Sequence, residues 1–400
     1  KDQEGVDVAN EAPIIKLVNL IIWNALQTRA SDIHIEPFEN QLVVRYRVDG
    51  VLHEASFPPP NLHAAILSRV KIMADLDISE RRTTQDGRIQ IKLGKREIDI
   101  RVSIMPTVWG ENVVMRLLDK SRSLLTLDQL GFDPGTEQAF EEIIRASHGI
   151  MLVTGPTGSG KTTTLYSALA RLNKPDVKII TVEDPVEYQI PGINQIHVNP
   201  KVGLTFAHGL RSILRQDPDI IMVGEIRDLE TAETAVQASL TGHLVFSTLH
   251  TNDAASAITR LIDMGVEPYL ITSSVIGILA QRLVRVLCPH CKQPYLSTEE
   301  AYIERLMLPE GTVPRGAQTY YRAVGCEQCR DTGFVGRLSL FELMRITEDI
   351  KRLTLERAAS YEIKKQAIKD GLVTLQHAGW KKAVAGITTL EEVLSATEEA

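Results

Sequence analysis

Gly149-Ile150-Met151-Leu152-Val153-Thr154-Gly155-Pro156-Thr157-Gly158-Ser159-Gly160-Lys161-Thr162 is an apolar run that breaks into a glycine-rich turn ending in lysine and threonine. Gly155 to Thr162 fits the phosphate-binding loop pattern in full. In that pattern the glycines let backbone N–H groups point at phosphate oxygens, and the helix that follows adds positive potential at its N-terminus. Lys161 is then expected on the β- and γ-phosphates and the Thr162 hydroxyl on Mg²⁺, with Thr163 completing the nucleotide-binding set. The run before the turn reads as a buried strand, and Thr162 to Leu172 reads as the helix the pattern demands.

Outward from this loop the chain keeps the same style. Lys178 to Val182, Ile220 to Val223 and Leu244 to Ser247 are short apolar strands separated by helical stretches, as in a parallel α/β sheet. Asp219-Ile220-Ile221-Met222-Val223-Gly224-Glu225 ends in a carboxylate suited to hold Mg²⁺ or its waters. Thr181-Val182-Glu183-Asp184-Pro185-Val186-Glu187 places carboxylates past another strand, and Thr241 to Thr251 ends its strand with His250 rather than His243. Ligands of such sheets sit at the carboxyl ends of strands. Four strands therefore aim polar groups at one crevice.

The sequence before residue 120 has another character. Helical periodicity in Ala12 to Ala30 gives way to alternation in Asp32-Ile33-His34-Ile35-Glu36 and in Leu42 to Val48. Asp49-Gly50 marks a hairpin, Leu62 to Ala74 returns to helix, and Arg88 to Leu93, Arg96 to Ser103 and Asn112 to Leu117 read as strands. This is a small α+β domain. Asp32, His34 and Glu36 share one strand face, but alternation with Ile33 and Ile35 accounts for them without a metal. Lys120 to Ser123 reads as a hinge. Lys1 to Glu11 is polar, and a chain that begins with lysine is expected to lack a natural N-terminal part.

Four cysteines occur among 400 residues, as Cys288-Pro289-His290-Cys291 and Cys326-Glu327-Gln328-Cys329. Paired CxxC motifs supply four thiolates for a closed structural zinc site, and they place the chain in a reducing compartment. The 34 residues between the pairs (292–325) exceed the usual ribbon spacing of roughly 15–20, so an excursion is expected there. After Cys329 the chain reads as mostly helical, with candidates at Glu348 to Arg357, Tyr361 to Asp370 and Leu375 to Ala385.

These boxes, in this order, resemble the secretion-ATPase superfamily, in particular the motor ATPases of type IV pilus assembly and of type II secretion. Thr181 to Glu187 is similar to the family's Asp box, Val223-Gly224-Glu225-Ile226-Arg227-Asp228 to its Walker B segment and Thr241 to His250 to its His box. Arg29-Ala30-Ser31-Asp32-Ile33-His34-Ile35-Glu36-Pro37 resembles the signature of its N-terminal domain. The resemblance implies an α/β chain in four parts: an arginine-bearing α+β domain (1–120), a RecA-like P-loop core (124–285), a tetracysteine zinc insert (286–335) and a helical C-terminal region (336–400).

It further implies a hexamer with ATP between the two domains of each subunit, and Glu225 and Glu183 as catalytic carboxylates. His250 is expected at the γ-phosphate. Arg88, Arg101 and Arg116 are expected to close on the phosphates, unless they are strand-face charges paired with Glu97, Asp99 or Glu111. Arg282 and Arg285 are further candidates. The cysteine pattern favours assembly over retraction motors, and pilus assembly and type II secretion stay open as alternatives.

The implied setting is cytoplasmic and peripheral to the inner membrane, docked on a platform protein. No run approaches the roughly 18 uncharged apolar residues of a bilayer span, and no signal peptide is evident. A 44% apolar and 24% charged composition excludes a disordered or collagen-like chain, and the net charge of −7 argues against bulk nucleic-acid binding. A nucleic-acid translocase is the rival reading, and an ATP-binding scaffold without catalysis is a third.

Overall fold

A computed structural model describes residues 12–93, 96–119, 124–308, 311–314 and 316–398. The expected loose start, Lys1 to Glu11, and the expected hinge, Lys120 to Ser123, lie outside the described residues. Internal contacts divide the chain into Lys1–Ser123 and Leu124–Ala400.

The first unit is one antiparallel sheet with two helices. Helix α1 (Ala12–Gln27) precedes strands β1 (Asp32–Pro37), β2 (Leu42–Val48) and β3 (Val51–Ser56). Helix α2 (His63–Met73) follows, then β4 (Gln85–Leu93), β5 (Arg96–Thr107) and β6 (Gly110–Asp119). The strand order is β3-β2-β1-β6-β5-β4. Ile33, Ile35, Val44, Ile100, Val102, Val113 and Met115 from the sheet pack with Val18, Ile21 and Ile22 of α1 and Ile66 and Val70 of α2. Period-two alternation thus buries one sheet face and leaves the other polar.

The second unit is built on a seven-stranded sheet ordered β15-β12-β7-β11-β10-β8-β9. Its strands are β7 (Gly149–Thr154), β8 (Ile179–Glu183), β9 (Asn194–His197), β10 (Ile220–Val223), β11 (Leu244–Leu249), β12 (Val275–Leu287) and β15 (Phe334–Arg345). All are parallel to their neighbours except β15, which runs antiparallel to β12. Every residue of β7, β8, β10 and β11 is buried. Ile150 and Leu152 join one apolar cluster and Met151 and Val153 the other, so both faces are covered.

The helices include α3 (Pro134–Ile144), α4 (Lys161–Leu172), α5 (Phe206–Ile213), α6 (Leu229–Leu240), α7 (Ala254–Asp263) and α8 (Pro268–Ser274). Between β12 and β15 lies a small lobe with the hairpin β13 (Gln293–Ser297) and β14 (Gln318–Arg322) and helix α9 (Glu300–Leu306). Helices α10 (Glu348–Leu355), α11 (Ser360–Lys369), α12 (Leu375–Val384) and α13 (Leu390–Thr397) end the described chain.

The helical region expected from residue 336 in fact opens with strand: residues 334–345 return to the main sheet as β15. Gln281 in β12 and Glu342 in β15 interrupt the apolar patterns of these two strands. Both are 1% exposed and hydrogen-bonded inside, and buried polar residues satisfied by tertiary contacts disguise a strand in sequence.

Candidate active site and metal centre

The loop between β7 and α4 has the conformation its glycines allow. Gly155 (φ 150°) and Gly160 (φ 90°) lie in the left-handed half of backbone space. A Cβ on Gly155 would meet the Gln281 carbonyl oxygen at 2.5 Å, and one on Gly160 would meet the Gln281 side-chain nitrogen at 2.8 Å. Pro156, Thr157 and Gly158 form the exposed tip, and Ser159 is buried with no partner for its hydroxyl. Thr162 is exposed in the first turn of α4, followed by half-buried Thr163.

Lys161 is mostly buried, and its Nζ donates to the carbonyls of Gly155 (2.7 Å) and Pro156 (3.0 Å). Burial pushes the ammonium down to about 8; Glu225 opposes this and Arg282 adds to it.

Neighbouring strand tips are stitched to this loop by hydroxyls that the sequence reading did not single out. The Thr154 hydroxyl donates toward the carbonyls of Leu249 and Thr251 and lies 2.6 Å from the Thr251 hydroxyl, tying β7 to the end of β11. Thr248 Oγ1 donates to the Gly224 carbonyl at 2.7 Å, and Ser247 Oγ to that of Val223 at 2.8 Å. Threonine and serine within otherwise apolar strands were the available signal.

These ties set Glu225 beside His250, with Nε2 3.6 Å from a carboxylate oxygen, while Arg227 holds the other oxygen at 2.5 Å. Glu225 is 14% exposed and His250 half-exposed. Burial and then the Lys161 ammonium lower the His250 pKa, against a raise from Glu225. The imidazole is therefore neutral near pH 7, able to donate from one nitrogen and accept on the other. His243, by contrast, places Nδ1 2.8 Å from the Ala238 carbonyl, at the end of α6.

Glu183 has a different environment. It is 3% exposed; Tyr166 of α4 donates to one oxygen, and Thr181 (2.5 Å) and Gln195 (3.2 Å) donate to the other. Arg282 donates to Asn252, two residues beyond His250, whereas Arg285 pairs with Glu392 and stacks on Phe334.

In the first unit the three expected arginines stand in one row. Arg88 of β4 is opposite Arg101 of β5, which is opposite Arg116 of β6; Asp32 of β1 and Arg47 of β2 continue the line. Like charges directly opposite one another destabilise a sheet. Two buried aspartates offset part of this: Asp99 pairs with Arg88, and Asp32 holds Arg116 at 2.9 Å and Arg47 at 3.8 Å. Of the other expected partners, Glu97 pairs with Lys92 and Glu111 with Lys71. On the strand face of Asp32, His34 and Glu36, Glu36 is bound by Arg45 and Asp32 by Arg116 and Arg47.

Among the described residues, one group has metal-ligand geometry: Cys288, Cys291, Cys326 and Cys329, with all four sulfurs within 4.8 Å of one another. Neighbouring Sγ atoms lie 3.7 to 3.9 Å apart. A tetrahedron with Zn–S bonds near 2.3 Å has edges of about 3.8 Å. Gly325 N–H donates to the Cys291 sulfur, and the N–H groups of Cys326 and Gly333 donate to that of Cys329. Burial opposes ionisation of Cys329, but those two donors together with the neighbouring Cys326 and Cys291 thiols outweigh it and bring the thiol down to about 7. Donor type, spacing and supporting N–H groups all suit zinc.

A family model described as type II/IV secretion system protein matches residues 7–395. The chain is 52% identical to the type IV pilus assembly ATPase PilB of Myxococcus xanthus, over 99% of this chain and 71% of that protein. It is 56% identical to the type II secretion system protein E of Xanthomonas campestris pv. campestris, over 98% and 69%. In structure it is similar to the Legionella pneumophila ATPase DotB (TM-score 0.69, 20% identity, 94% of each chain), a likeness of fold. The pilus retraction motor PilT with bound ADP is also similar (TM-score 0.62, 25% identity, 95% of this chain and 96% of that one).

Proposed function

Starting from the fact that the chain belongs to the type II/IV secretion system protein family, we propose that it is a motor whose ATP hydrolysis drives polymerisation of pilin or pseudopilin subunits at the bacterial inner membrane. It is a P-loop ATPase. The observation that carries the reading is the joining of Lys161, Glu225 and His250 at the stitched tips of β7, β10 and β11.

In this reading the loop Gly155–Thr163 cradles the triphosphate, and bound Mg²⁺ supplies charge neutralisation at Thr162. Lys161 neutralises phosphate charge. Glu225 accepts the proton of the attacking water, and neutral His250 orients the γ-phosphate end. Glu183, expected as a second catalytic carboxylate, serves instead as a buried anchor between β8, β9 and α4, because both its oxygens already accept hydrogen bonds. Arg88, Arg101 and Arg116 are the arginines that the family resemblance assigns to the phosphates, and within their own unit the ion pairs of Arg88 with Asp99 and of Arg116 with Asp32 offset the like charges of the row.

Zinc held by the four cysteines would pin the root of the lobe between β12 and β15. The working form is a homohexamer that acts from the cytoplasm with membrane components of the machine. Among the described residues no helix is long and apolar enough to cross a membrane. The 52% and 56% identities to a pilus assembly ATPase and a type II secretion system protein leave both machines as the setting.

Phosphate release by the assembled chain tests the reading. Lys161→Ala is expected to abolish nucleotide-dependent turnover, and parental turnover in that variant would overturn the assignment. Metal analysis of the purified chain is expected to give one zinc per chain.

A further inference from the structure

Where β7 leaves the sheet to become the phosphate loop, β12 continues alongside. Ala280 is in register with Thr154, so Gln281 falls beside Gly155. Gln281 is 1% exposed, an unusual place for an uncharged amide unless it is bonded on both sides. Its Oε1 accepts from the Thr164 hydroxyl at 2.8 Å, in the first turn of α4. Its Nε2 donates to the Ser339 hydroxyl at 3.1 Å, on β15.

The same residue sits against both positive-φ glycines of the loop, its carbonyl oxygen against Gly155 and its side-chain nitrogen against Gly160. Its carbonyl also accepts from Arg282, whose guanidinium reaches Asn252 beyond His250. Its backbone carbonyl thus touches the start of the loop, and its buried side-chain amide touches the loop's end, the first turn of the helix and the edge strand.

Resting on the nucleotide-binding reading above, we propose that Gln281 is a positioning residue for the phosphates. It fixes the height and tilt of the Gly155–Thr164 segment by bracing α4 against β15. A loop braced in this way meets the triphosphate already in shape, and a loop that loses its brace must be ordered when nucleotide arrives, so the loss is read in affinity. A residue needed only for folding would lower the amount of competent protein and leave the affinity of the remainder unchanged.

The test uses the full chain, comparing the parent with Gln281→Met, Ser339→Ala and the double variant. The readouts are Kd for MgADP by calorimetry and KM and kcat for MgATP. Gln281→Met, similar in volume but unable to bridge, is expected to raise Kd and KM roughly tenfold, with kcat within about threefold of the parent. Ser339→Ala, which removes one end of the brace, is expected to shift both in the same direction by a smaller factor. The double variant is expected to match Gln281→Met, because the serine acts through the amide.

Unchanged Kd and KM in Gln281→Met, with only yield or kcat reduced, would overturn the proposal. If that variant does not fold, unchanged affinity in Ser339→Ala overturns it equally. A parent chain that binds no MgADP would sink the nucleotide-binding reading itself, and this proposal with it. Parental binding with an insensitive variant sinks only the brace.

Discussion

The ends of β8 and β10 lie next to each other in one sheet, Val182 opposite Val223; β8 ends in Glu183, and Glu225 stands two residues past the end of β10. The two carboxylates nevertheless have different surroundings. Glu183 receives hydrogen bonds from Tyr166, Thr181 and Gln195 and is almost wholly buried. Glu225 meets the Arg227 guanidinium and the neutral His250 imidazole, and shares the field of Lys161. Strand-tip position puts a carboxylate near the chemistry; its neighbours decide whether it is available for it. Neutral donors occupy both oxygens of Glu183, whereas Glu225 keeps a guanidinium and an imidazole beside it, and on that difference we propose Glu225 as the base.

The largest effect that sharpens this comparison belongs to Glu225→Gln. Turnover is expected to fall by roughly 10²–10⁴ while MgATP binding persists. Equal binding loss and turnover loss would move Glu225 from chemistry to ligand binding.

The second effect is in pH. Lys161 lies at about 8, so its protonated fraction falls between pH 7 and 9, and with it the attraction for a triphosphate. MgATP affinity is expected to weaken by about tenfold over that interval. Because Glu225 raises the lysine's pKa, Glu225→Gln should move the midpoint of that loss to lower pH. Glu183→Gln should leave the midpoint in place. A shift with Glu183→Gln instead would break the comparison at its centre.

Third, Glu183→Gln puts an amide where three donors converge, leaving buried groups unsatisfied. It is expected to cost about 1–3 kcal/mol of stability, with turnover of the folded fraction within about fivefold of the parent. A loss of turnover equal to that of Glu225→Gln, with an unchanged melting temperature, would restore Glu183 as a catalytic group. The smallest effect is that of Tyr166→Phe, which removes one donor to Glu183. It is expected to cost about 1 kcal/mol, measured by denaturant unfolding.

The phosphate loop, the strand tips at Glu225 and His250 and the tetracysteine cluster were legible in the sequence because each is carried by short motifs of telling residue types. The resemblance carried the roles. Less legible was everything decided by long-range pairing. β12 and β15 went unread because Gln281 and Glu342, both buried, look like surface residues until their partners at Thr164, Ser339, Ala254 and Leu375 are known. The surroundings of Glu183 were hidden for the same reason: its donors Tyr166 and Gln195 lie on α4 and β9, elements that only the fold brings together. The row of Arg88, Arg101 and Arg116 was read as three separate candidates, since only strand register reveals that they stand opposite one another.

The lobe that carries the cysteines leaves from the end of β12 and comes back as β15, its immediate antiparallel neighbour. Leu287 is in register with Phe334, and Cys288 N–H donates to the Gly333 carbonyl at 2.9 Å. Both of its attachment points are thus the two legs of a hairpin, and a tight reverse turn could close the same gap. Lineages can gain, lose or exchange such an appendage without rethreading a single strand of the engine. An engineer can likewise graft another module at this edge while the nucleotide chemistry, several residues down the same two strands, keeps its framework.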